Sequence, residues 1–189
     1  MTIDSKTEES KLPTSDTGGW FWVLLVVVGV AVAILLTFQG QRPKAAHPYA
    51  GRPLPPLQVA GWINTNKPLE AADLQGKIVL VDFWATWCRP CVRGIPELIE
   101  VHKRYRDVGV LVVGLTSEDG PAAVQQVKNF VATKDGMVWP IGYGAGLTFR
   151  MMEVEAIPTY ILYDRSGTSV WGGHSLSGID EAIVAALAK

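Results

Sequence analysis

The sequence predicts an α/β domain, a central mixed sheet flanked by helices, held behind one membrane-spanning helix. Three observations predict it: short apolar runs alternate with stretches of helical periodicity, one uncharged apolar stretch lies near the N-terminus, and two cysteines three apart follow the first strong strand. At 189 residues and 48% hydrophobic, the chain can bury one substantial core plus appendages, so a second domain is not expected. The formal net charge is −1 and no Lys/Arg run exceeds two, so nothing points to nucleic acid or to a polybasic membrane patch. Two cysteines are too few for a disulfide scaffold and, on their own, for a four-ligand zinc site.

Residues 1–19 form a short, mostly acidic tail with Asp4, Glu8, Glu9 and Asp16 against Lys6 and Lys11. Trp20 to Phe38 follow without a charge. At ~1.5 Å per residue they are just long enough for a ~30 Å hydrocarbon core, so 20–38 is expected to be a transmembrane signal-anchor helix. A cleaved signal peptide is the alternative, but its apolar region runs to roughly 7–15 residues behind a short basic segment. Here the preceding segment is longer than such a basic segment, and acidic. Lys6 and Lys11 before the helix and Arg42, Lys44 and Arg52 after it leave the orientation undecided by charge. Residues 39–53, with Pro43, Pro48, Pro53, Gly40 and Gly51, read as a semi-rigid linker, and Pro55 and Pro56 continue its composition into the domain at 54–189.

Within that domain, Lys77 to Phe83 and Val108 to Leu115 are apolar runs suited to central strands. Pro121 to Thr133 places Val124, Val127, Phe130 and Val131 at helical spacing behind a proline suited to a first turn. Thr159 to Tyr163 and Thr168 to Trp171 flank Asp164-Arg165-Ser166-Gly167, a hairpin turn. Ser177-Gly178-Ile179-Asp180 reads as an N-terminal cap for a last helix through Leu187. The order is β-α-β, then β-β-α.

Cys88-Arg89-Pro90-Cys91 stands between the first strong strand and a helical pattern carried by Ile95, Leu98, Ile99 and His102. A cysteine at a helix N-terminus faces unpaired N–H groups and the positive end of the dipole, which favour thiolate over thiol, so Cys88 is the expected nucleophile. Cys91, one turn onward, can close a disulfide with it or resolve a mixed disulfide, and is expected to be the more buried. Arg89 adds positive charge, and Pro90 stiffens a first turn that needs no donor from it.

Val81-Asp82-Phe83-Trp84-Ala85-Thr86-Trp87-Cys88-Arg89-Pro90-Cys91 resembles the active site of the thioredoxin superfamily, and Val92-Arg93-Gly94-Ile95-Pro96-Glu97-Leu98 is similar to its membrane-anchored TlpA/ResA-like branch. The resemblance covers roughly Leu54 to Lys189 and implies a thioredoxin fold. It also implies that Pro96 kinks the active-site helix, and that Ile157-Pro158-Thr159 is the cis-proline loop that faces the disulfide and positions the substrate backbone. An ordinary trans proline starting a strand is the alternative.

Asp82 lies inside an apolar strand, where burial raises a carboxyl pKa toward neutrality. The resemblance implies that it is the general acid/base for Cys91, the alternative being a buried structural acid. Many sequences of this branch carry an uncharged residue there, and Val110 to Leu115 offers no lysine partner. Glu153 and Glu155 precede the proline loop and either add negative charge beside the disulfide or are merely solvated. Trp87 is expected to cover the disulfide and shape substrate access, and Trp84 to join the core. His47, His102 and His174 are scattered and read as surface or capping residues, with no metal site.

The expected activity is exchange with protein disulfides through Cys88 and Cys91, with no organic cofactor. The resemblance and the anchor together imply a single-pass protein of the bacterial inner membrane, its tail cytoplasmic and its domain periplasmic, recharged by a membrane electron donor of the thiol-transfer type. Cytochrome c maturation is the task that the branch suggests. Net oxidase or isomerase activity stays open because ~30 mV changes the balance by ~1.4 kcal/mol. A copper- or haem-delivery module using the same thiols is the reading from another class.

Overall fold

The computed structural model describes residues 18–39 and 47–189, so tail residues 1–17 and linker residues 40–46, each assigned a place above, lie outside the described residues. The chain divides into two compact units between residues 45 and 46. The first holds a single helix, α1 (Gly18–Gln39), with no acidic residue in its first turn and no basic residue in its last. Its described side chains, Phe21 to Ala33, are exposed. That stretch is shorter than a ~30 Å hydrocarbon core at ~1.5 Å per residue. Among the described residues no helix is long and apolar enough to cross a membrane. The membrane-spanning segment expected over 20–38 extends past those side chains at both ends.

The second unit contains β1 (Gly61–Ile63), α2 (Ala71–Leu74), β2 (Ile78–Phe83), α3 (Arg89–Tyr105), β3 (Val110–Leu115), α4 (Pro121–Ala132), β4 (Ile141–Tyr143), α5 (Gly146–Met151), β5 (Thr159–Tyr163), β6 (Ser169–Gly173) and α6 (Ile179–Leu187). The strands form one sheet in the order β1-β4-β3-β2-β5-β6. β2 pairs in parallel with β3, and β5 pairs antiparallel with β2 and β6. All six residues of β2 are buried, as a central strand covered on both faces requires.

Alternation along β2 divides its side chains between two cores. Ile78 and Leu80, with Trp84 just beyond the strand, pack with Ile95 and Leu98 of α3, Val127 of α4 and Ile183 of α6. Val79, Val81 and Phe83 pack with Leu74, Ala145 and Met152 on the other face. Asp82 is in register with the first set, so it points beneath α3.

β1, α2, β4 and α5 escaped the sequence reading because three- to six-residue elements are too short to show a period. The cap expected at Ser177 to Asp180 takes another form: Gly178 is the N-cap at φ 81°, with no side-chain cap. Asp180 instead accepts hydrogen bonds from Arg104 Nη1 at 2.7 Å and Tyr105 Oη at 2.8 Å. The end of the expected linker is also part of the domain. Tyr49 is buried, Gly51 N–H donates to Ser169 O at 3.0 Å, and Ser169 N–H donates to Arg52 O at 2.9 Å, which closes one edge of the sheet.

Candidate active site

Cys88 is the N-cap of α3, and Arg89 and Pro90 open the helix with both side chains exposed. The Cys91 N–H donates to Cys88 Sγ at 3.3 Å. This donor and the helix dipole both favour negative charge on that sulfur once the pair is reduced. The two sulfurs are bonded at 2.03 Å, with Cα atoms 5.3 Å apart. Cys91 is 2% exposed and Cys88 4%, so the expected difference in burial is slight. Trp87, one residue before, is 68% exposed, whereas Trp84 is in the core as expected. Pro96 lies within α3, which continues through it to Tyr105.

The Ile157–Pro158 peptide bond is cis. Thr159 pairs with Phe83, the last residue of β2, and Ile157 packs against the apolar cluster that contains both cysteines. The proline loop therefore runs alongside the cysteine motif, although some seventy residues separate them in sequence. Thr159 Oγ1 donates to Ala156 O at 2.7 Å. His174 Nδ1 lies 2.8 Å from Pro158 O and 3.1 Å from Thr159 Oγ1. A carbonyl only accepts, so Nδ1 carries the proton and donates to Pro158 O. His174 is exposed, in keeping with its reading from sequence as a surface or capping residue, and from the surface it braces the proline loop. No local pattern could have signalled this, because the bond spans β5 and β6.

Asp82 is 3% exposed and sits in register between Gly114 of β3 and Tyr160 of β5. Burial pushes its carboxyl up to about 8. Its Oδ1 has no hydrogen-bond partner among the described residues, nor do the buried indole nitrogens of Trp84 and Trp139. A Cβ at Gly114 would come within 3.2 Å of Trp84 Nε1 and 3.3 Å of Trp139 Nε1, so this glycine admits both rings beside the aspartate. Tyr160 is the cross-strand neighbour on the same face. Burial first, then the Asp82 and Glu97 carboxylates, raise its phenol. Its hydroxyl approaches α3 so closely that a Cβ at Gly94 would lie 2.7 Å away.

Glu118 was likewise missed. Its carboxylate accepts from Thr86 N–H at 2.9 Å, Thr86 Oγ1 at 2.5 Å and Thr116 Oγ1 at 2.8 Å, tying the loop before Cys88 to the end of β3. The acidic pair Glu118-Asp119 just past a strand is the only sequence trace of this tie. Glu153 is exposed and pairs with Arg52 at 2.9 Å, a contact that holds the start of the domain. Glu155 is exposed. Among the described residues no three His, Cys, Asp or Glu side chains gather as a metal site.

Residues 50–169 match the model of the AhpC/TSA family. The thiol-disulfide oxidoreductase ResA of Bacillus cereus is 30% identical over 146 residues, 77% of this chain and 80% of that protein. The protein DipZ of Mycobacterium bovis is 44% identical over 116 residues, 58% of this chain but 16% of that much longer one. Among solved structures, a thiol:disulfide interchange protein of the thioredoxin family from Chlorobium tepidum TLS superposes with a TM-score of 0.59 at 29% identity, covering 72% of this chain and 97% of that one. The thioredoxin-like superfamily protein SPOA0173 superposes at 0.65 and 25% identity, with the same two coverages, 72% and 97%.

Proposed function

The chain belongs to the AhpC/TSA family of thioredoxin-like proteins and is a thiol-disulfide oxidoreductase of the ResA type, and from that premise we propose that it reduces protein disulfides outside the cytoplasm from a membrane anchor. The observation that carries the reading is the bonded Cys88–Cys91 pair at the N-terminus of α3; cis-Pro158, next to an Ile157 that packs on the same apolar cluster, and Asp82, buried in β2, support it.

In the reduced state, Cys88 thiolate attacks a substrate disulfide, forming one S–S bond and breaking another, and the first substrate sulfur leaves and is protonated. Asp82 takes the proton of Cys91. The Cys91 thiolate then attacks Cys88 Sγ, re-forming the Cys88–Cys91 bond and releasing the second substrate sulfur. Two electrons pass to the substrate, and the dithiol itself is the redox group, with no organic cofactor. Pro158 and its neighbours Ile157 and Thr159 hold the substrate backbone, while Trp87, Arg89 and Pro90 line the exposed side. With its carboxyl near 8, Asp82 is ionised in only a minority of molecules at pH 7, so resolution by Cys91 quickens as pH rises toward 8.

The anchor rests on the uncharged run Trp20 to Phe38 and on the helical backbone from Gly18 to Gln39. A periplasmic domain in a bacterial inner membrane, recharged by a membrane thiol-transfer donor and serving cytochrome c maturation, follows from the TlpA/ResA-like resemblance. Pro90 before the second cysteine resembles the reducing members and favours reduction over oxidase or isomerase activity. Two measurements test this function. Equilibrium of the couple with glutathione should give a potential below the glutathione pool, and Cys88→Ser should abolish insulin reduction. A potential near the ER range of roughly −180 mV, or full activity in the variant, would sink it. Membrane fractionation with protease protection tests the anchor separately.

A further inference from the structure

We propose that a positively charged groove beside Cys88 selects substrates with acidic residues flanking the target disulfide, an inference that rests on the oxidoreductase reading above. The groove, of about 430 Å³, is lined by Thr86, Arg89, Val92, Arg93 and Phe130. Thr86 and Arg89 stand two residues before and one after Cys88, so a chain bound at the nucleophile meets the groove at once.

Arg89 and Arg93 are four apart on α3, on one helix face, and both are exposed. Like charges at this spacing repel each other. Among the described residues neither groove guanidinium has an ion pair, which is also true of Arg150 and Arg165, whereas Arg52, Arg104 and Arg106 are each paired with a carboxylate. Lys134 Nζ lies 4.9 Å from the centre of the Phe130 ring, outside the groove lining. Glu118 also reaches the lining through Thr86: its carboxylate accepts three hydrogen bonds from Thr86 and Thr116, which fix it in place, and its single negative charge stands against the two guanidiniums. Val92 and Phe130 provide an apolar floor.

The sheet order fixes how a substrate crosses this end of the domain. The cis-proline loop precedes β5, on one side of β2, whereas Glu118 follows β3 and Phe130 belongs to α4, on the other. A peptide held by Pro158 and crossing Cys88 enters the groove on leaving. Its complementary occupant is a segment with a carboxylate for the guanidiniums and an apolar side chain for Phe130. Charge placed at such a rim acts chiefly on encounter and partner choice.

The test mixes the reduced full-length chain, in single turnover, with two disulfide-closed peptides that differ only in having two glutamates or two lysines beside the cysteines. The glutamate peptide is expected to react about five- to tenfold faster, a ratio in keeping with two exposed ion pairs. Arg93→Gln should cut that ratio about two- to fivefold, Arg93→Glu should cut it further, and high salt should compress it. Both peptides are read on the same sample, so a partly unfolded variant leaves the ratio intact. A wild-type ratio near one, or a ratio that Arg93→Glu does not move, overturns the inference alone. If the wild type reduces neither peptide, the oxidoreductase direction falls and this inference with it.

Discussion

Two aspartates at opposite ends of the sheet show how far burial and hydrogen-bond partners together decide the behaviour of one residue type. Asp82, beneath α3, is buried with Oδ1 unpartnered, and its carboxyl is pushed up to about 8. Asp164, in the β5–β6 turn, accepts hydrogen bonds at Oδ1 from Ser166 N–H at 3.0 Å, Ser166 Oγ at 2.5 Å and Thr168 N–H at 3.2 Å. Its partial burial alone would raise the carboxyl, but these donors outweigh burial and hold it below the usual range. The turn aspartate fixes geometry and is content to be charged. The site aspartate resists charge, and that resistance makes it able to exchange a proton near neutral pH.

The largest break in this contrast is Asp82→Asn. Below pH ~4 the Asp82 carboxyl is protonated whether the chain is folded or unfolded, and it costs nothing. Between about 4 and 8 only the unfolded chain ionises, so stability falls as pH rises, and above about 8 the loss is complete. The variant should therefore be more stable at pH 7 by on the order of 3 kcal/mol and should lose this slope in denaturant titrations across pH. Resolution of the mixed disulfide should slow by about a hundredfold over the same range. Unchanged stability with an unchanged slope would mean that Asp82 is solvated.

Gly94→Ala sharpens the same side of the comparison, because its new Cβ would meet Tyr160 Oη at 2.7 Å. The crowding should destabilise by about 1–3 kcal/mol, reduced by the better helix propensity of alanine. Adding Tyr160→Phe should recover most of the loss, and a double-mutant cycle by thermal unfolding would expose the coupling. Additive effects would mean that the hydroxyl and the helix do not touch.

Asp164→Ala should give the smallest effect, a loss of about 1–2 kcal/mol from the turn. A carboxyl held below its unfolded pKa stabilises above pH ~4 and loses that contribution as pH falls through its folded value. Wild type and variant should therefore converge in stability in acid, as the Asp82 pair does, but with opposite sign above pH ~4: there Asp164 adds stability that its variant lacks, whereas Asp82 carries a penalty that its variant escapes.

The spacing of Cys88 and Cys91, the strand before them and the helix after them were legible because each is a local pattern, and the hairpin at Asp164 was legible for the same reason. Asp82 was noticeable only as a charge out of place in an apolar run. His174, Glu118 and Tyr160 were invisible as site residues, since each acts on a partner from another element: His174 on Pro158, Glu118 on Thr86, and Tyr160 against Gly94.

By itself, then, the sequence determined the chemistry and its place in the fold: a dithiol at a strand-to-helix junction, a proline loop, and an uncharged run before them. Covalent spacing and the periods of helix and strand are set by neighbours in the chain, so they can be read along it. Only the tertiary structure decided what surrounds that dithiol. Sheet order puts the proline loop on one side of β2 and the Arg89–Arg93 groove on the other, and burial under α3 gives Asp82 its proton affinity. Desolvation and long-range hydrogen bonding depend on which distant groups arrive, and no local pattern records their arrival.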